Sequence, residues 1–147
     1  MMTATLYPDQ PLIMDDGDGF IVAFETGSVA AAVVVNAGRV GSLANPPSSR
    51  FDVYGDLYRI GFATDQTLLI KAYVQVPYRS ATAPGGGVCT CLAKPYYPDP
   101  MPWMPNHHEF SVLSNWEQLA NEPPHQTGRR LACETKRIGF MICAKKS

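Results

Sequence analysis

The chain is short of charge, and it lacks every signature that would name a chemistry outright. Only 17% of its 147 residues are Asp, Glu, Lys or Arg, against about 25% in an ordinary globular protein. Little of its surface is then strongly hydrated, which suits a protein that rests against another protein. No apolar run approaches the ~20 residues of a membrane helix, and the longest is residues 29–35. The first 30 residues have neither the basic start nor the apolar centre of a signal peptide, and no Asn-x-Ser/Thr acceptor occurs. The expected location is intracellular, in the cytoplasm or a virion, with no membrane as partner. A Gly-x-Ser-x-Gly elbow is missing, and Gly85-Gly86-Gly87 lacks the Lys-Ser/Thr of a phosphate loop. No cofactor motif and no internal repeat is present.

Nor do the four cysteines form a metal or disulfide signature. Cys89 and Cys91 flank one threonine, and Cys133 and Cys143 lie ten positions apart. Structural zinc wants two Cys-x2–4-Cys elements, so this spacing fits it poorly. The four read as free thiols, which behave as small apolar residues when buried.

Alternation with a period of two is what the chain has most of. Leu68, Ile70, Ala72, Val74 and Val76 alternate with Leu69, Lys71, Tyr73 and Gln75, which predicts a strand with one buried face. Residues 51–62 alternate similarly and predict a strand pair or one bent strand, with Gly55 and Gly61 as candidate bulges. Asp65-Gln66 then reads as a hairpin turn into the next strand. Residues 12–14 and 20–24 flank Asp15-Asp16-Gly17-Asp18-Gly19, a hairpin pattern in which glycine accepts positive φ. As a calcium loop the same residues fail, because the twelfth position from Asp15 is Thr26 rather than glutamate. Residues 29–35, with Val33, Val34 and Val35, predict a buried strand closed by Asn36-Ala37-Gly38. Ile138, Phe140 and Ile142 predict a closing strand near the end. Many short strands with turn signals between them predict one β-rich domain over 1–147, a β-sandwich, jelly roll or small barrel.

Two features break the pattern. Residues 94–106 carry Pro95, Pro98, Pro100, Pro102 and Pro105 among Tyr96, Tyr97, Met101, Trp103 and Met104. Proline at that density excludes a helix interior or a central strand. The result is an extended arm with apolar side chains of the kind enriched at interface cores; it covers either its own sandwich or a neighbour. One short helix is expected after residue 106. Ser114-Asn115-Trp116-Glu117 has capping-box form, Phe110, Leu113, Trp116 and Ala120 follow helical spacing, and Pro123-Pro124 stops it.

Charge is polarised along the chain. Residues 1–38 hold Asp9, Asp15, Asp16, Asp18 and Glu25 with no Lys or Arg, while residues 129–147 hold Arg129, Arg130, Lys136, Arg137, Lys145 and Lys146 against Glu134. Such ends pair within one fold or between copies. The basic end has only Phe140 for stacking, so nucleic acid is a disfavoured partner.

Three function classes follow. The first is a non-enzymatic structural or assembly protein, in concrete form a viral or phage capsid, decoration or tail component. Its partner is protein, its own copies or a larger assembly, and its contacts are Tyr96, Tyr97, Met101, Trp103, Met104, Arg129, Arg130, Lys136 and Arg137. The second is a small cupin-like metal enzyme using His107, His108 and Glu109, with His125 sixteen residues on from Glu109. Adjacent histidines on a helix point about 100° apart, and the His-x-His step of a metal-binding strand is absent. The third is a sandwich module that binds a carbohydrate or peptide on Tyr and Trp side chains. The first is preferred.

Overall fold

The computed structural model describes residues 1–41, 51–53, 55–64, 66–78, 88–92, 117–118, 130–136 and 138–146. They form strands β1 (Met2–Leu6), β2 (Leu12–Asp15), β3 (Ile21–Phe24), β4 (Val33–Gly41), β5 (Phe51–Val53), β6 (Leu57–Phe62), β7 (Ala72–Pro77), β8 (Val88–Leu92), β9 (Glu117–Gln118), β10 (Arg130–Thr135) and β11 (Phe140–Lys146). One sheet has seven strands in the order β1-β4-β6-β11-β8-β9, with β5 also on β11. The other has four, in the order β10-β7-β3-β2. Every pairing is antiparallel. The fold is mostly β, two sheets in a sandwich, as the alternation predicts.

The acidic hairpin forms as expected, with Leu12 opposite Phe24 and Asp15 opposite Ile21. The closing strand is also present, as β11. Elsewhere the boundaries move. Residues 29–32 and 68–71 precede their strands instead of belonging to them. A turn at 25–28 takes their place: the Ser28 hydroxyl donates to the Glu25 carbonyl at 2.6 Å, and the Ser28 carbonyl accepts the Leu69 N–H at 2.8 Å. These two segments hold each other, so β4 and β7 start later than apolar periodicity suggests. Nor does Asn36-Ala37-Gly38 close β4. Asn36 stands opposite Thr3 on one side and Gly61 on the other, and the Thr3 hydroxyl lies 2.7 Å from the Asn36 amide oxygen. Pairing on both sides overrides the turn preference of Asn and Gly.

β6 and β7 belong to different sheets and do not pair, so they are not the two arms of the hairpin expected between them, and Asp65 itself lies outside the described residues. β6 pairs with β4 and β11, β7 with β3 and β10. Gly61 is no bulge; it keeps register with Asn36, and the irregularity falls between Arg39 and Gly41. Of the helix expected after residue 106, Glu117 and Gln118 instead pair as a strand with Leu92 and Cys91. The other residues of that expectation lie outside those described, and no described residue is helical.

Between the sheets lie Leu6, Met14, Val22, Val35, Ile60, Phe62, Val74, Leu131 and Met141, all buried. Two aromatic pairs bridge the layers: Phe20 on Tyr58 with centroids 4.6 Å apart, and Phe24 on Phe62 at 6.2 Å. Such pairs add roughly 0.5–1.5 kcal/mol each beyond the area they bury. The Cys143 thiol reaches the Val76 carbonyl at 3.2 Å, a further link between layers.

The bend between β5 and β6 turns on Gly55. A Cβ there would stand 2.9 Å from the Pro77 carbonyl oxygen and 3.4 Å from the Tyr78 Cα, both backbone atoms of the opposite sheet. Gly55→Ala is therefore expected to destabilise by about 1–3 kcal/mol, lowering Tm by roughly 3–10 °C in a thermal melt. Gly17 has φ +83 with open space around it, so Gly17→Asn, the side chain that best tolerates that φ, is expected to cost about 1 kcal/mol.

Candidate functional site

A polar cleft of about 370 Å³ is lined by Met1, Met2, Asp15, Asp16, Asp18, Gly38 and Arg39. It lies where the β2–β3 hairpin of one sheet faces the irregular end of β4 in the other. The hairpin shapes itself with its own carboxylates. Asp15 Oδ1 accepts the Gly17 N–H at 2.9 Å; Asp16 Oδ1 accepts the N–H of Asp18 at 2.8 Å and of Phe20 at 3.1 Å. Each is a side chain bonding backbone two or four residues on, the mechanism that makes aspartate a turn residue. Gly19, at φ +108, lies against the neighbouring strands: a Cβ would meet Arg130 Nε and Pro77 Cβ, each at 3.3 Å.

On the other side of the cleft, Arg39 Nε donates to Asp56 at 2.7 Å, with side chains 54% and 13% exposed. The Asp56 hydrogen bond and charge raise the Arg39 pKa further. An ion pair this exposed is screened and adds little to stability. Beneath it, burial chiefly, with Asp16 and Asp56 adding, pushes the Tyr58 hydroxyl up to about 12. Tyr58 thus stays a neutral phenol at neutral pH.

Arg59 is charged and yet buried, at 3% exposure. Its guanidinium lies over Gly61, where a Cβ would come 2.5 Å from Nη2, and Nη1 points at Met1 Sδ, 3.6 Å away. Burial lowers its pKa. The available signal is Gly61 two positions on, which leaves room on the same face for a long side chain.

Of the contact residues expected from sequence, Arg130 opens β10 with Nη1 3.4 Å from Gln75 Oε1, on the outward face of the four-stranded sheet, and Lys136 is exposed just beyond that strand. Tyr96, Tyr97, Met101, Trp103, Met104, Arg129 and Arg137 lie outside the described residues, as do His107, His108, Glu109 and His125. The cysteines are spread over both sheets: Cys133 is on β10, and Cys89 and Cys91 stand opposite Ala144 and Ile142, the positions either side of Cys143. Among the described residues no group of three or more His, Cys, Asp or Glu is placed to hold a metal, and no helix is long and apolar enough to cross a membrane. The hairpin carboxylates are not neutralised either: no described cation forms an ion pair with Asp15, Asp16 or Asp18. No protein-family model matches the chain, and no curated protein is significantly similar to it.

The Tyr58 shift has a pH consequence. A phenol whose folded pKa is raised from 10.0 to about 12 contributes stability that is fully present below pH 10 and lost as pH rises toward 12. Ultraviolet titration is expected to show one late-ionising tyrosine with a midpoint near pH 12, absent in Tyr58→Phe. Chemical denaturation is expected to show the wild type losing more stability than that variant between pH 10 and 12.

Proposed function

We propose that this chain is a non-enzymatic assembly protein whose copies pack through ends of opposite charge, a building unit of the kind found in viral or phage capsids, decorations or tails. The observation that carries the reading is the unneutralised hairpin. Asp15 and Asp16 each turn Oδ1 to backbone N–H groups, and Asp18 makes no ion pair among the described residues. Arg130, although its side chain passes beside Gly19, donates to Gln75. Lys136 is exposed. The acidic hairpin thus faces solvent, and its complement in this proposal is the basic end of a second copy, where Lys136 is exposed and Arg130 half-buried.

The energetics favour many weak contacts over one strong one. An exposed ion pair gives only about 0.2–1 kcal/mol, so a charge-mediated lattice needs several pairs acting together. The apolar arm at 94–106 supplies the second component of the proposed contact, with Tyr96, Tyr97, Met101, Trp103 and Met104 as anchors preordered by proline. Arg129 and Arg137, adjacent in sequence to Arg130 and Lys136, add to the basic charge of this end.

Light scattering across protein concentration at low ionic strength is expected to give masses well above the 16.1 kDa of one chain, falling as salt is added. Asp18→Lys and Glu25→Lys reverse exposed charges that cap nothing, and together they are expected to weaken association at least tenfold. A strictly monomeric wild type at every concentration and salt would contradict the proposal.

A further inference from the structure

Among the described residues, five large apolar side chains are exposed: Met1, Tyr7, Ile13, Val34 and Leu69. Four of them lie along one side of the sandwich. There β1 closes the seven-stranded sheet, β2 closes the four-stranded one, and the two strands are in contact. Tyr7 follows β1 directly, Ile13 is on β2 at 71% exposure, and Val34 stands beside Thr5. This side is apolar where the hairpin at its end is acidic.

β1 itself is an unguarded edge. It pairs with β4 through all five of its residues and with no other described strand. Natural edge strands are usually blunted by lysine, proline or a bulge. Met2–Leu6 has none of these and no charge at all. β2 differs: Asp15 sits within it, and a charged side chain is one of the devices that blunt an edge strand.

The order of residues in β1 is also self-complementary. Met2-Thr3-Ala4-Thr5-Leu6 reads apolar, Thr, Ala, Thr, apolar from either end. A two-fold axis through Ala4 sets Thr3 opposite Thr5 of a second copy and Met2 opposite its Leu6. Residues directly opposite in an antiparallel pair share a face. Thr3 and Thr5 are both exposed, while Met2 and Leu6 turn toward the core. Both faces therefore match: hydroxyl meets hydroxyl outside, apolar meets apolar inside, and no charge is brought together. A closed two-fold contact demands that kind of surface, since the same patch serves both partners.

We propose that β1 pairs antiparallel with β1 of a second copy, joining the two seven-stranded sheets into one. Val34, on the outward face beside Thr5, and Met1 and Tyr7, at the two ends of β1, flank the seam. The inference rests on the assembly reading but uses a different contact, and salt separates the two. Charge-mediated contacts fade at high ionic strength, whereas an uncharged, hydrogen-bonded and apolar seam persists.

Sedimentation of the full chain at roughly 0.5 M salt is expected to show a two-copy species. Thr5→Lys places a solvated ammonium on the seam at an exposed position, and it is expected to raise the dimer dissociation constant at least tenfold; Thr3→Lys should do the same. Amide exchange at residues 2–6 is expected to slow as wild-type concentration rises and not to slow in Thr5→Lys. A monomeric wild type at high salt, or a dimer indifferent to both lysine variants, would overturn the β1 seam. In either case larger species at low salt that Asp18→Lys disperses would leave the assembly reading standing; their absence would remove both.

Discussion

Strand β6 is buried at all six of its positions, and the architecture follows from that constraint. Tyr58, Ile60 and Phe62 face the core between the sheets; Leu57, Arg59 and Gly61 face the other way and are buried as well. β11 repeats the pattern beside it, with Met141 and Cys143 in the core and Phe140 and Ile142 buried on the opposite face. A strand with two dry faces belongs at the centre of a sheet, and β6 and β11 are flanked by β4 on one side and β8 on the other. The four-stranded sheet covers only one of those faces. Its register over the core is held by Phe20 on Tyr58 and Phe24 on Phe62, and Gly55 permits a close backbone approach.

The same constraint explains where sequence reasoning succeeds and where it stops. Period-two alternation finds β7, β11 and the β2–β3 hairpin, because in these strands apolar positions or turn chemistry are local. It does not find the crossover after β6, because which sheet a strand joins is decided by long-range pairing, and two consecutive strands look alike whether they pair or part. Boundaries slip at 29–32 and 68–71, where apolar residues are held by the hydrogen bond between Ser28 and Leu69. The burial of Arg59 has no periodic signal for a related reason: a charged side chain folds down on a strand only where a neighbour such as Gly61 leaves room.

The candidate site was half legible. Asp15-Asp16-Gly17-Asp18-Gly19 announces a turn and an acidic end, and the polarity of charge along the chain is plain from counting. Arg39, Asp56 and Tyr58 carry no spacing signal, since they meet only when β4 and β6 pair around an irregularity. The exposure of Ile13 and the unguarded edge of β1 are likewise properties of sheet order, invisible until the order is known. Most of the proline-aromatic arm's chemistry is composition, and composition supports an interface without fixing a partner.

What unites these features is a division of labour at the surface. Charge sits at the hairpin and at the basic end, apolar area along the β1 side, and the described residues do not use one to neutralise the other. Carbodiimide cross-linking of a mixture of isotopically light and heavy copies tests this most directly, because it joins carboxylates to lysines only where they touch. Links from Asp18 or Glu25 of one isotope to Lys136 of the other are predicted at low salt and are lost at high salt. Cross-links confined to single copies under both conditions would contradict the central claim.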